Sequence, residues 1–199
     1  MAAIAKERIV KISKLLIENI EKYGDKISPK TCEAIFLQAH YFTPDNIEIC
    51  TKISQFYNAV QENQKASLFM SKVGELYEKM GDIGLALPAY EKSTVLYPQN
   101  ILNRLKLLEI YEKLENREKL KESGMEFFSY LRQSNNDSDE NVMERVCKSL
   151  LKVDSSLALC HDELIKIYNK RKDKASAIAE YEALIQIYEK ADDKEGMVK

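Results

Sequence analysis

The property that most constrains this chain is that it repeats itself. Tyr77-Glu78-Lys79 is echoed by Tyr111-Glu112-Lys113, and Tyr168-Asn169-Lys170 carries the pattern a third time. Self-similarity at a period of about 20–50 residues marks a chain built from small units. None of these can bury its apolar face alone, so neighbouring units must stack. The step from Tyr111 to Tyr168 exceeds the step from Tyr77 to Tyr111 by about one extra helix, which interrupts the phase. The segment 139–153 is the candidate for it.

The repeating unit is helical. Apolar residues return at three- and four-residue intervals through Ile4, Ile9, Ile12, Leu15, Leu16 and Ile20, predicting an amphipathic helix over 3–23 that Gly24-Asp25 stops. Ser28-Pro29 offers an N-cap followed by proline at the first helical position, and Thr43-Pro44 repeats the device, predicting helices over 29–41 and 44–61. Further periodic segments predict helices over 65–80, 83–97, 101–114, 117–132, 139–153, 157–171 and 174–190. No stretch alternates with period two long enough for a strand. Six Gly and four Pro in 199 residues fall below the usual shares of about 7% and 5%, too few for the turns of a sandwich or barrel. The polar run Gln133-Ser134-Asn135-Asn136-Asp137-Ser138-Asp139 reads as a loop and as the place for a subdomain seam. Ser138, followed by Asp139 and Glu140, restarts a helix there.

Composition narrows the chemistry. Thirty basic against 32 acidic side chains give a formal charge of −2, no basis for attraction to nucleic acid or anionic lipid. Charge at Lys6, Glu7 and Arg8 interrupts the first apolar residues before a secretory or membrane-spanning segment can form, so the expected compartment is the cytoplasm. Cys32, Cys50, Cys147 and Cys160 form no Cys-x-x-Cys pair and lie at apolar helix positions, as reduced, buried thiols do. Cys160 and Glu163 could begin a metal site around His161, but no second ligand pair has the spacing to complete it, and helix packing is the preferred reading. The glycines make neither a phosphate loop nor a nucleophile elbow. No catalytic residue, cofactor site or metal site is expected, and an enzyme is the weakest class.

Residues Ser67 to Asn100 are the best unit: Met70, Val73, Gly74, Tyr77, Ala86, Tyr90 and Pro98 fall at the spacing Trp-x2-Leu-Gly-x2-Tyr, Ala-x3-Phe, Pro. That pattern resembles the tetratricopeptide repeat. Each slot has a mechanical reason. Gly74 and Ala86 are small where two helices cross closely, Tyr77 and Tyr90 fill the space between pairs, and Pro98 ends the second helix. The resemblance continues over 101–134 and, with Ala177 and Tyr181 in the Ala and Phe slots but Ile165 in the small slot, over 158–191. Pro88 is a departure. It falls inside the second helix, where it removes a hydrogen bond to the Gly84 carbonyl, so a kink or a late helix start is expected.

The resemblance implies an all-α fold, an α-α superhelix: a right-handed solenoid of antiparallel helix pairs. The chain 1–199 is expected as a single domain with an N-terminal helix (1–28), a degenerate unit (29–66), the best unit (67–100), a further unit (101–134), an extra helix (135–157) and a last unit (158–191). At 192–199 a truncated helix begins, because Tyr188-Glu189-Lys190 restarts the motif of Tyr77-Glu78-Lys79. With no polar capping helix after Met197, the chain is expected to be excised from a longer protein.

A superhelix of this kind has a concave groove formed by the first helix of each unit, suited to an extended peptide or a partner helix. The family's groove positions, carried over, give Leu68, Lys72, Glu75 and Lys79, then Leu102, Lys106, Glu109 and Lys113, then Lys166 and Lys170 as partner-binding candidates. Ser71, Glu78, Leu105, Glu112, Leu159, Asp162, Glu163 and Asn169 share the same register. Ser71 and Glu75 replace the Lys and Asn with which chaperone cofactors of the family clamp a C-terminal carboxylate, so that specificity is not implied. The functional expectation is a protein-protein interaction scaffold or adaptor without nucleic-acid or membrane partners. The alternative is a regulatory or self-association domain whose effector domain lies beyond residue 199.

Overall fold

The computed structural model describes residues 2–23, 26–134 and 139–196, which form ten helices and no strand. These are α1 (Ala2–Tyr23), α2 (Pro29–Phe42), α3 (Ile47–Ala59), α4 (Asn63–Lys79), α5 (Ile83–Leu96), α6 (Ile101–Lys113), α7 (Arg117–Ser134), α8 (Glu140–Val153), α9 (Ala158–Lys170) and α10 (Lys174–Gly196). Each lies on a segment whose apolar period predicted it, with ends within three residues except at the close of α10. Gly24-Asp25, residues 135–138 of the polar loop and 197–199 lie outside the described residues, as do the side chains of Ile4, Ile9 and Leu16.

The chain divides into two compact units, Met1–Leu107 and Leu108–Lys199. In the first, α1 packs on α2, α2 on α3, α3 on α4 and α4 on α5; in the second, α7 packs on α8, α8 on α9 and α9 on α10. Helices that pack on their chain neighbours are the arrangement of a helical-repeat stack. The boundary falls inside α6, not in the polar run 133–139 where composition placed a seam. Packing sets the division, and a continuous helix carries the chain across it.

One turn recurs four times. Gln61, Gly81, Glu115 and Lys172 all have positive φ, and each lies four residues after a tyrosine: Tyr57, Tyr77, Tyr111 and Tyr168. The residue after each donates its N–H to that tyrosine's carbonyl, at 2.9, 2.9, 3.0 and 2.9 Å, which is the six-to-one bond of a Schellman C-cap. The same residue then opens the next helix in three of the four. Asp82 accepts from Leu85 N–H at 3.0 Å, Asn116 from Lys119 N–H at 3.1 Å and Asp173 from Ser176 N–H at 3.2 Å. At Tyr77, Tyr111 and Tyr168 the repeated Tyr-x-Lys signature thus marks a helix end and the start of the next helix.

Two local expectations are corrected, and a third is narrowed. Thr43 does not cap α3; its hydroxyl turns back to donate to the Ala39 carbonyl at 2.7 Å, closing α2, and Asn46 caps α3 by accepting from Ile49 N–H at 3.0 Å. Pro88 sits inside α5, yet the helix begins at Ile83, so the late start does not occur. Gly84 and Pro88 are both exposed, and water can serve the carbonyl that proline leaves without its intrahelical bond. Finally, α10 runs unbroken to Gly196, through the place where a new helix was expected to begin. Ala191, a strong helix former, and Asp192 stand where Met80 and the positive-φ Gly81 break the chain after α4.

Among the described residues of the first unit, apolar clusters form around Phe36, Ile49, Ile53 and Tyr57 and around Cys50, Met70, Val73, Leu76 and Ala89, with Tyr77 partly buried against the latter. Gly74 shows why the small slot matters. A Cβ there would stand 2.7 Å from Cε2 of Tyr90, whose ring is completely buried. Ala86 is likewise fully buried. In the second unit Phe127, Phe128, Val146, Leu150 and Leu164 are buried, each contributing roughly 1.5–3 kcal/mol of transfer free energy. There the small slot of the repeat pattern holds Ile165, which is buried, and the aromatic slot holds Tyr181, which is 49% exposed.

Candidate functional site

In the first unit, α4 turns Ala66, Ser67, Met70, Val73, Gly74 and Leu76 inward. Leu68, Lys72, Glu75 and Lys79 occur at spacings of four, three and four, so they share the opposite face. Leu68 is 63% exposed, and Lys72 and Glu75 form an ion pair at 3.8 Å. On α6, Leu102 and Lys106 take the same register; Leu102 is 72% exposed, while Asn103, Arg104, Leu105 and Leu107 are buried.

The two helices are joined beneath this face by a buried polar network. Ser71 donates to Asn103 Oδ1 at 2.7 Å, and the Asn103 amide donates to Ser67 Oγ at 3.1 Å and Ser93 Oγ at 2.5 Å. Ser93 also donates to the Ser67 carbonyl at 2.8 Å. Above it, Lys106 pairs with Glu78 at 3.9 Å, and Glu78 accepts from the Tyr90 hydroxyl at 2.8 Å. Every member has a partner, so the network fixes the register of α4, α5 and α6 without an unsatisfied buried group. Composition gave no direct sign of it. The available signal was Ser and Asn at positions where the helical period calls for apolar residues. Ser71 and Leu105, in the groove register by sequence, belong to the interior instead.

The remaining candidates belong to the second unit. On the last turn of α6, Glu109 pairs with Arg145, and Lys113 is exposed. On α9, Leu159 is 50% exposed, Lys166 pairs with Glu163 at 2.9 Å and Lys170 pairs with Glu140. Glu112 is partly buried and faces Ser149 and Lys152; burial acts to raise its pKa, but the hydrogen bonds from Lys152 and Ser149 outweigh it and hold the carboxyl below its ordinary value. Glu112 and Lys152 border a cleft of about 510 Å³ that Tyr111, Glu115, Arg117, Leu120 and Val153 also line. Its lining is mixed in sign, with Glu112 and Glu115 alongside Arg117 and Lys152 in the same cleft.

The reactive side chains are structural in their contacts. His40 Nδ1 lies 3.7 Å from Cys50 Sγ, but burial pushes the thiol up to about 11 and the imidazole down, so the pair is neutral and not a thiolate-imidazolium couple. The hydrogen bond to Cys160, with burial, pushes the Cys147 thiol up. His161 is buried with Nδ1 2.6 Å from Glu180 Oε2 and Nε2 3.1 Å from the Ser155 carbonyl, so both ring nitrogens are occupied. Among the described residues no group of three or more His, Cys, Asp or Glu is placed to hold a metal ion. Among them, too, no helix is long and apolar enough to cross a membrane.

No family model and no curated protein matches the sequence. Among solved structures, the chain is similar to PilF of Pseudomonas aeruginosa, with 13% identity over 92% of this chain and 94% of that one, at a TM-score of 0.38. It is also similar to MamA of Desulfovibrio magneticus, with 15% identity over 92% and 97% at 0.30. A tetratricopeptide repeat protein of Parabacteroides merdae shares 16% identity over 87% and 79% at 0.31.

Proposed function

We propose that this chain is a non-catalytic protein-interaction scaffold, an adaptor that holds a partner peptide or helix against the leucine-and-charge stripes of its repeat helices. One observation carries the reading. Leu68 and Leu102, one repeat length apart, are 63% and 72% exposed on two helices locked in register by the Ser67-Ser71-Ser93-Asn103 network. Two leucines on a rigid support are apolar anchors that need no reorganisation before binding, and burial of each is worth about 1.5–3 kcal/mol. Lys72, Glu75 and Lys106 beside them supply alternating charge, which selects among partners more than it adds affinity. Leu159, Lys166 and Lys170 on α9 offer the same chemistry in the second unit. Four buried free thiols suit a reducing compartment, and the cytoplasm is the location we assign.

The test is the triple variant Leu68→Ser, Leu102→Ser, Lys106→Glu in affinity capture from the source cytosol, with circular dichroism as the folding control. Loss of the captured partners at unchanged helicity supports the reading. Recovery of the same partners by the folded variant removes it.

A further inference from the structure

A second surface differs in kind from the leucine stripes. On α10, Ile178, Tyr181, Ile185 and Tyr188 follow spacings of three, four and three, so they share a face, and they are 56%, 49%, 56% and 56% exposed. Scattered apolar residues on a surface are ordinary, whereas a continuous row of four bulky ones is not. Ala177 and Leu184, on the adjoining face, are buried.

The fold itself indicates what such a row is for, because α2, α3 and α4 correspond to α8, α9 and α10 in a register that matches Tyr57 to Tyr168. Tyr57 donates to Glu33 and Tyr168 to Glu144; the positive-φ turns at Gln61 and Lys172 follow; and buried Ala66 and Ala177 begin the next helix face. In this register the counterparts of Ile178 and Ile185 are Ser67 and Gly74. Those two residues are where α5 lies on α4: Ser67 bonds Ser93 at 2.9 Å, and the Tyr90 ring covers Gly74. The α10 row therefore occupies the position at which the same architecture seats an antiparallel helix in the first unit.

The residues also state what that helix must look like. Isoleucines stand where Ser67 and Gly74 allow close approach, so its contact ridge has to be small, of Ala, Gly or Ser. Exposed Glu182 and Glu189, each four residues after an isoleucine, form an acidic edge to the row. A second copy seated antiparallel would bring the two glutamate rows together, whereas Lys or Arg would complement them. We propose that the exposed face of α10 is a docking site for an amphipathic helix of a partner protein, with a small-residue contact ridge and basic residues facing Glu182 and Glu189. This site belongs to the second unit, whereas Leu68 and Leu102 belong to the first.

The experiment uses the full chain and a panel of fluorescein-labelled, alanine-rich helical peptides of five turns, each made with Lys or with Glu along the flank. Fluorescence anisotropy should show saturable binding of basic members at least tenfold tighter than of their acidic twins. Ile178→Ser/Ile185→Ser should weaken it at least tenfold, Glu182→Lys/Glu189→Lys should reverse the charge preference, and Leu68→Ser/Leu102→Ser should leave it unchanged. Tyr181→Ser serves as a second lesion if the isoleucine variant loses helicity. No binding by any member, equal binding by both charge types, or binding indifferent to the serine variants overturns the proposal. A dimer in sedimentation velocity that dissolves with the serine variants also overturns it, by assigning the face to a second copy.

Discussion

Replacing Gly74 by alanine sets two known effects against each other. In a helix interior, alanine is better than glycine by roughly 0.8–1.0 kcal/mol, so propensity alone predicts that the variant gains stability. The new methyl, however, would lie 2.7, 2.8 and 2.9 Å from three ring atoms of Tyr90. That ring is fully buried and its hydroxyl is held by Glu78, so it cannot swing aside, and overpacking of this kind costs about 1–3 kcal/mol. The expected net is destabilisation by about 1 kcal/mol. Gly84→Ala is the control, since its methyl would meet only Asp82 Oδ1, at 3.6 Å. Urea unfolding followed by circular dichroism, at about 1–3 kcal/mol per molar, should lower the midpoint of Gly74→Ala by about 0.3–1 M while Gly84→Ala holds or raises it. In a Tyr90→Leu background the cost of Gly74→Ala should shrink, as coupling between touching residues requires. A Gly74→Ala protein as stable as its parent, or the same loss in both backgrounds, would refute the close-crossing argument.

Other consequences are as direct. At the Schellman turns, Gly81→Ala should cost about 1–2 kcal/mol, whereas Glu115→Gly should be neutral or gain up to about 1 kcal/mol; both are read from thermal midpoints. Asn103→Ala leaves Ser71 without its acceptor inside the core and should cost about 1–3 kcal/mol by urea titration, more than Asn100→Ala at the cap above it. Asp154 is held down to about 2 by hydrogen bonds from Lys121 and Ser156. Because its folded pKa is depressed, its contribution is complete above the ordinary value of 3.8 and is lost as pH falls toward about 2. Asp154→Asn should therefore destabilise most at pH 7, with the difference from the parent closing between about pH 4 and 2.

Much of the helix framework was legible because period and punctuation agree: after Tyr77, Tyr111 and Tyr168 a tyrosine-led helix end is followed by an Asp or Asn cap. The misreadings have specific causes. Thr43 and Asn46 are both capping types, and the backward bond to Ala39 together with the Asn46 cap shows which residue acts. Tyr181 fits the aromatic slot in sequence yet is 49% exposed, because sequence type alone does not decide which rings are covered. The Ser67-Ser71-Ser93-Asn103 network joins residues up to 36 positions apart, so no local pattern announces it. The candidate binding residues were found by register alone. Register identified exposed Leu68 and Leu102 but also nominated Ser71 and Leu105, which packing takes inward.

The adaptor account is tested most directly by placing a photo-crosslinker where the anchors are said to be. p-Benzoylphenylalanine is introduced singly at Leu68, at Leu102 and, as control, at Val95, which is 78% exposed on α5. Irradiation in the source cytosol should give an adduct with the same partner protein from positions 68 and 102 and none from 95. An adduct formed equally from all three positions, or from 95 alone, would contradict the account.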